Sequence, residues 1–181
     1  MFKFLNPKFI YFFIKAIFQE GINLMTVLNF ASKFYGVQSG FYSHQKHINY
    51  VDLYDEVKNL RNYLSVEYRL CISSKVAIIS KNNIEMVKYI FATSSLGCKL
   101  YLLNADLSFE QIELYCKKLK IEVLIFDETI ENQFSNLSTV KLISLSKNIV
   151  LSPKNLKTSK VYKSKIVLLS GGTSGNFKSI E

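Results

Sequence analysis

The sequence predicts an α/β protein built on a parallel sheet with flanking helices. Three observations carry that prediction. Short apolar runs recur at Lys75-Val-Ala-Ile-Ile79, Lys99-Leu-Tyr-Leu-Leu103 and Glu122-Val-Leu-Ile-Phe126. Amphipathic stretches with helix-capping residues fill the intervals between them. Apolar residues make up 49% of the chain, enough to bury a core. Strand, helix, strand, helix, strand at this spacing implies parallel pairing with right-handed crossovers. At 181 residues the chain suits one domain of average size and is too short to complete a large two-domain enzyme.

Residues 1–20 read as an aromatic N-terminal helix. Phe9-Ile-Tyr-Phe-Phe-Ile14 follows Lys3 and Lys8 like the opening of a signal peptide, but Lys15 interrupts it and no small-residue cleavage site precedes Glu20. A spanning helix needs about 20 apolar residues, which this stretch lacks. Two readings stay open: a helix packed on the body of the protein, or one resting in a membrane interface with Lys3, Lys8 and Lys15 at the headgroups. From residue 21 onward, Leu24, Leu28, Ala31 and Phe34 keep a helical spacing that Gly36 is placed to stop. Gly40 to Tyr50 reads as a small hairpin. Val51, Leu53, Tyr54, Val57, Leu60 and Leu64 share one face of the next helix, whose early Asp52, Asp55 and Glu56 suit its dipole.

In the repeating centre, Asn82 or Asn83 caps the helix that runs through Met86, Val87, Ile90 and Phe91 towards Gly97. Ser108, with Gln111 three residues on, forms a capping-box signature for a helix ending near Leu119. Residues 127–160 are less patterned, with a further strand possible at Val140–Ser144 and a surface turn at Ser152-Pro-Lys-Asn155. A final apolar strand, Lys165-Ile-Val-Leu-Leu169, runs into Ser170-Gly-Gly-Thr-Ser-Gly-Asn-Phe-Lys178.

Composition excludes several function classes. The net charge is +9, and residues 132–180 hold eight lysines and no acid. Such a balance attracts phosphates, yet only Arg61 and Arg69 are arginines, and zinc-finger, RNA-binding aromatic and arginine-rich helix signatures are missing, so no nucleic-acid partner is expected. Cys71, Cys98 and Cys116 are odd in number and far apart, which suggests no disulfide framework or thiolate metal site and makes a cytoplasmic setting the default. His44 and His47 lack neighbouring ligands and read as surface loop. No metal site and no nucleophile paired with a base is expected.

The chemistry concentrates in the loop after the last strand. Glycines let main-chain amides turn inward to cradle phosphate oxygens, the hydroxyls of Ser170, Thr173 and Ser174 can donate to the same oxygens, and Lys178 can neutralise their charge. The candidate phosphate-binding residues are therefore Ser170, Gly171, Gly172, Thr173, Ser174, Gly175 and Lys178. The P-loop spacing of two glycines five apart followed by lysine is not met, nor is the dinucleotide fingerprint, of which only Gly172-x-x-Gly175 is present.

This loop resembles the phosphate-loop motif of the adenylate-forming, or AMP-binding, acyl-CoA synthetases, which reads roughly Thr-Ser-Gly-Thr-Thr-Gly-x-Pro-Lys-Gly after an apolar strand. Ser170 to Ser179 aligns with it without a gap. Upstream, Ile48-Asn-Tyr50 with its following helix, Lys75 to Asn83, and Ser95 to Asn104 are similar to further family elements in the same order, so the resemblance spans residues 21–181. Phe177 stands where the family has proline and Ser179 where it has glycine, which leaves the amide cradle and the lysine in place.

The resemblance implies the N-terminal part of the large domain of an adenylate-forming enzyme. It implies ATP with Mg2+ and coenzyme A as cofactors, and a carboxylic or fatty acid as substrate. The acid would attack the α-phosphate of ATP to give an acyl-adenylate and pyrophosphate, and a thiol would then displace AMP. The loop would stabilise charge on the departing phosphates, with no catalytic acid or base among the residues present. Because the family's remaining nucleotide contacts lie downstream of this motif, residues 21–181 are expected to be a partial AMP-binding domain, without the C-terminal domain and inactive alone. The alternative is a non-catalytic nucleotide-binding or scaffold relic of the same fold.

Overall fold

A computed structural model describes residues 6–43, 46–127, 140–145, 160, 161, 163–170 and 178–180, with only the main chain of Ser39, Ser170 and 178–180. The expected turn at 152–155, Lys3 and His44 lie outside the described residues.

Helix α1 (Pro7–Glu20) opens on Asn6, whose side chain accepts from the Lys8 amide, with Pro7 in the first turn where its missing N–H leaves nothing unpaired. Gly21 ends it at φ +90°, and a Cβ there would stand 2.2 Å from the Val161 carbonyl oxygen, so only glycine fits. Helix α2 (Leu24–Phe34) starts with a reciprocal cap between Asn23 and Thr26. Strands β1 (Ser39–Ser43) and β2 (Lys46–Asn49) form the expected antiparallel hairpin, in which His47 pairs across from Tyr42 with the two rings tilted by 30°. Helix α3 (Tyr50–Glu67) begins one residue earlier and runs three residues further than its apolar stripe suggested. The Asn49 side chain caps it by accepting from the Asp52 amide.

The repeating centre follows its pattern closely. It comprises β3 (Lys75–Ile79), α4 (Ile84–Ser95), β4 (Lys99–Leu103), α5 (Phe109–Leu119) and β5 (Val123–Phe126). Asn83, and not Asn82, caps α4 by accepting from the Met86 amide at 2.7 Å. Ser108 and Gln111 close the capping box of α5. Strand β6 (Lys141–Ser144) confirms the weaker apolar run, and β7 (Lys165–Ser170) is the final predicted strand. Strand β8 (Lys178–Ile180) is new: residues read as the end of the loop pair back on β7.

The main sheet has the order β6-β5-β3-β4-β7-β8, with its first five strands parallel and β8 antiparallel at the edge. Because side chains alternate along a strand, β3, β4 and β5 each feed two cores. Val76, Ile78, Leu100, Val123 and Ile125 pack under α2, α3 and α4. Ala77, Ile79, Tyr101, Leu103, Leu124 and Phe126 pack instead against Ile112, Tyr115 and Cys116 of α5. Fully burying such a side chain contributes about 1.5–3 kcal/mol.

Helix α1 joins the three-helix side. Phe9 meets Phe30 edge-on at 4.6 Å between ring centroids, and Phe13 meets the same ring at 5.7 Å. At its end the buried Glu20 carboxylate accepts from Arg61 at 2.8 Å, from the Tyr54 hydroxyl at 2.8 Å and from Asn29 at 3.1 Å. Burial, reinforced by the Glu20 charge, holds the Tyr54 phenol well above its ordinary range.

Candidate site at the carboxyl edge of the sheet

Parallel strands bring their carboxyl ends to one edge, where the chain must leave each strand through a polar turn. The register aligns those exits. Ile79 is level with Leu103 and with Phe126, Leu102 is level with Leu168, and Phe126 is level with Ser144. The next row therefore reads Leu145, Asp127, Ser80, Asn104 and Ser170 across β6, β5, β3, β4 and β7. Lys178 extends it, since the antiparallel register pairs Ser170 with Lys178.

Two of the predicted phosphate-loop residues are thus placed at this edge, side by side in the main chain: Ser170 closes β7 and Lys178 opens β8. Gly171, Gly172, Thr173, Ser174 and Gly175 belong to residues 171–177, which lie outside the described residues.

The neighbouring exits supply polar atoms and helix ends. Ser80 is buried; its hydroxyl donates to the Lys81 carbonyl at 2.7 Å and accepts from the Asn83 amide group at 3.3 Å. That contact ties the end of β3 to the cap of α4. Asn104 turns the chain after β4, its side-chain Oδ1 accepting from the Asp106 amide at 3.1 Å. The Asp127 amide donates to Ile79 O, which carries the β5–β3 ladder one step past the strand. Since α4 follows β3 and α5 leads into β5, the N-termini of both helices open towards this edge, each with an acid in the first turn, Glu85 and Glu110. The positive ends of two helix dipoles favour a negatively charged ligand there.

Ser80, Asn104 and Asp127 were not singled out from the sequence as site residues. Each is the first polar residue after an apolar strand, and that signal could have found them. Beside the row, a recess of about 150 Å³ lies between the hairpin and the start of α4, lined by Phe41, Tyr42, Ser43, Asn82, Asn83 and Ile84 with Val87. Its walls are apolar apart from Ser43 and the two asparagines, so it suits a small apolar group. Among the described residues no group of three His, Cys, Asp or Glu side chains is arranged to hold a metal ion. Away from this edge, burial pushes the thiols of Cys98 and Cys116 up to about 12 and about 11, so neither is a ready nucleophile.

A model of a family described as AMP-binding enzyme matches residues 31–173, a span that ends inside the glycine-rich loop. No curated protein matches the chain. Among solved structures, the chain is similar to o-succinylbenzoate CoA synthetase from Bacillus subtilis in complex with the acyl-adenylate intermediate OSB-AMP. The identity is 17% and the TM-score 0.68, over 84% of this chain and 40% of that one. The N-terminal subdomain of Klebsiella oxytoca NpsA, in complex with 3-hydroxyanthranilyl-AMSN, is similar at 17% identity and TM-score 0.71, over 88% of this chain and 40% of that one. The inhibitor-bound N-terminal domain of FACL13 from Mycobacterium tuberculosis is similar at 13% identity and TM-score 0.77, over 88% and 44%. The chain spans about two fifths of the length of these structures, and at such identities the likeness shows the fold alone.

Proposed function

The chain belongs to the AMP-binding enzyme family, and from that premise we propose that the carboxyl edge of its sheet binds the phosphates of ATP, with Ser170, Gly171, Gly172, Thr173, Ser174, Gly175 and Lys178 as the phosphate loop. The observation that carries this reading is the pairing of Ser170 with Lys178 at the edge where two capped helices also open. A polyphosphate fits that setting. Main-chain amides and hydroxyls would orient its oxygens, and the lysine ammonium would offset charge that grows as the terminal phosphates depart. Mg2+ would ride on the phosphates, which with one or two carboxylates and waters are its usual ligands.

In the reaction proposed for this site, ATP supplies the activated phosphate on which a carboxylic or fatty acid becomes an acyl-adenylate, and coenzyme A takes up the acyl group as a thioester. The residues of this chain do no acid-base work in that scheme; they position and neutralise. The three cysteines are all free, which supports a cytoplasmic setting for the proposed activity.

The test is Mg-ATP affinity of the chain against its Lys178→Ala variant, by calorimetry. Loss of a charge-assisted contact worth about 1.5–3 kcal/mol predicts an affinity weaker by about 10- to 160-fold. Equal affinity in the two proteins would remove Lys178 from the site. If the parent binds no nucleotide at all, the scaffold reading replaces this one.

A further inference from the structure

We infer that α1 is a peripheral membrane anchor, which packs one face on the protein and lays the other on the surface of a bilayer containing anionic lipid. This goes beyond the nucleotide site, rests on other residues, and joins the two readings of the N-terminal helix that the sequence left apart. The inner face is occupied: Phe9, Ala16 and Glu20 turn towards α2 and α3, where rings and an ion pair hold them, and Phe13, 39% exposed, touches the Phe30 ring at the margin of that face. The outer face is apolar as well. Ile10, Tyr11, Ile14 and Phe18 fall at the i, i+1, i+4 and i+8 spacing of a single stripe, and Tyr11, Ile14 and Phe18 are 58%, 47% and 69% exposed. A helix that only packed on a globular body would carry polar residues there.

What covers this stripe is indicated by its charges. Lys8 and Lys15 lie along one side of it, and the Lys15 ammonium stands 5.6 Å from the centre of the Tyr11 ring. Burial, with the Lys15 charge added to it, holds the Lys33 ammonium of α2 below its ordinary pKa. Glu20 is the first acid of the chain, and its carboxylate is turned inward to Arg61. Among the described residues of α1, the face therefore presents aromatic and branched side chains with a basic flank and no carboxylate, which complements acyl chains beneath anionic headgroups. No helix among the described residues is long and apolar enough to cross a membrane, so contact is at the surface.

The experiment is co-sedimentation of the whole chain with phosphatidylcholine vesicles and with vesicles of phosphatidylcholine and phosphatidylglycerol. Binding is expected to the anionic vesicles and to weaken with salt. Ile14→Glu/Phe18→Glu, at exposed positions, is expected to lower the partition coefficient at least tenfold with an unchanged circular dichroism spectrum. Lys8→Ala/Lys15→Ala is expected to lower it on anionic vesicles only, about fivefold per lysine. If the chain stays in the supernatant with both vesicles, or if the glutamate variant binds as well as the parent, the inference is wrong. A concentration-dependent dimer that the glutamate variant dissolves, without vesicle binding by the parent, would assign the face to a second copy and equally overturn it.

Discussion

Strands β3 and β7 run parallel in one sheet and end at the same edge, yet they meet very different surroundings. In β3 the residues Val76, Ala77, Ile78 and Ile79 are all fully buried, with helices over both faces and a paired strand on each side. In β7, Val167 and Leu169 are buried by the α5 side, while Leu168, on the opposite face, is 51% exposed. The exits differ too. β3 passes through Ser80 into a helix capped by Asn83, whereas β7 passes into a glycine-rich segment and returns as β8. One strand pattern thus serves two purposes: the centre holds the fold, and the less covered strand delivers the candidate phosphate loop.

The sharpest way to break this contrast is to disturb what holds the helices over β3. Arg61→Met should leave the Glu20 carboxylate buried without its partner and destabilise the chain by about 3–5 kcal/mol, read by urea denaturation. A loss under 1 kcal/mol would mean that the three-helix side is not tied together by this pair. Next in size, Ile78→Ala in β3 should cost about 2–5 kcal/mol, and Leu168→Ala in β7 less than about 1 kcal/mol, because a half-exposed side chain leaves little cavity when truncated. Equal costs would show that β7 is as firmly packed as the centre. The smallest effect belongs to the exits. Asn83→Ala removes the cap of α4 and should cost about 1 kcal/mol, lowering the thermal midpoint by a few degrees.

Much of the fold was legible because its signals are local. Apolar runs of four residues marked β3 and β4, and the side chains of Asn83 and Ser108 bond to amides three residues on, within reach of a sequence pattern. Strand β8 escaped notice because three residues carry no period, and their partners Leu168, Leu169 and Ser170 create the strand. The site was legible only in part. Ser170 and Lys178 were picked out by residue type, whereas Ser80, Asn104 and Asp127 become a row only through a register that links strands far apart in the chain.

The amino-acid sequence alone determined the element order as far as β7, the parallel α/β class and the family resemblance of the loop, since periodicity, caps and glycines act over a few residues. Tertiary structure decided the strand order β6-β5-β3-β4-β7-β8, the pairing of Glu20 with Arg61 forty-one residues away, and the division of α1 into a packed face and a bare one. Those depend on which surfaces exclude water together, a property of the assembled chain that no short stretch of residues possesses.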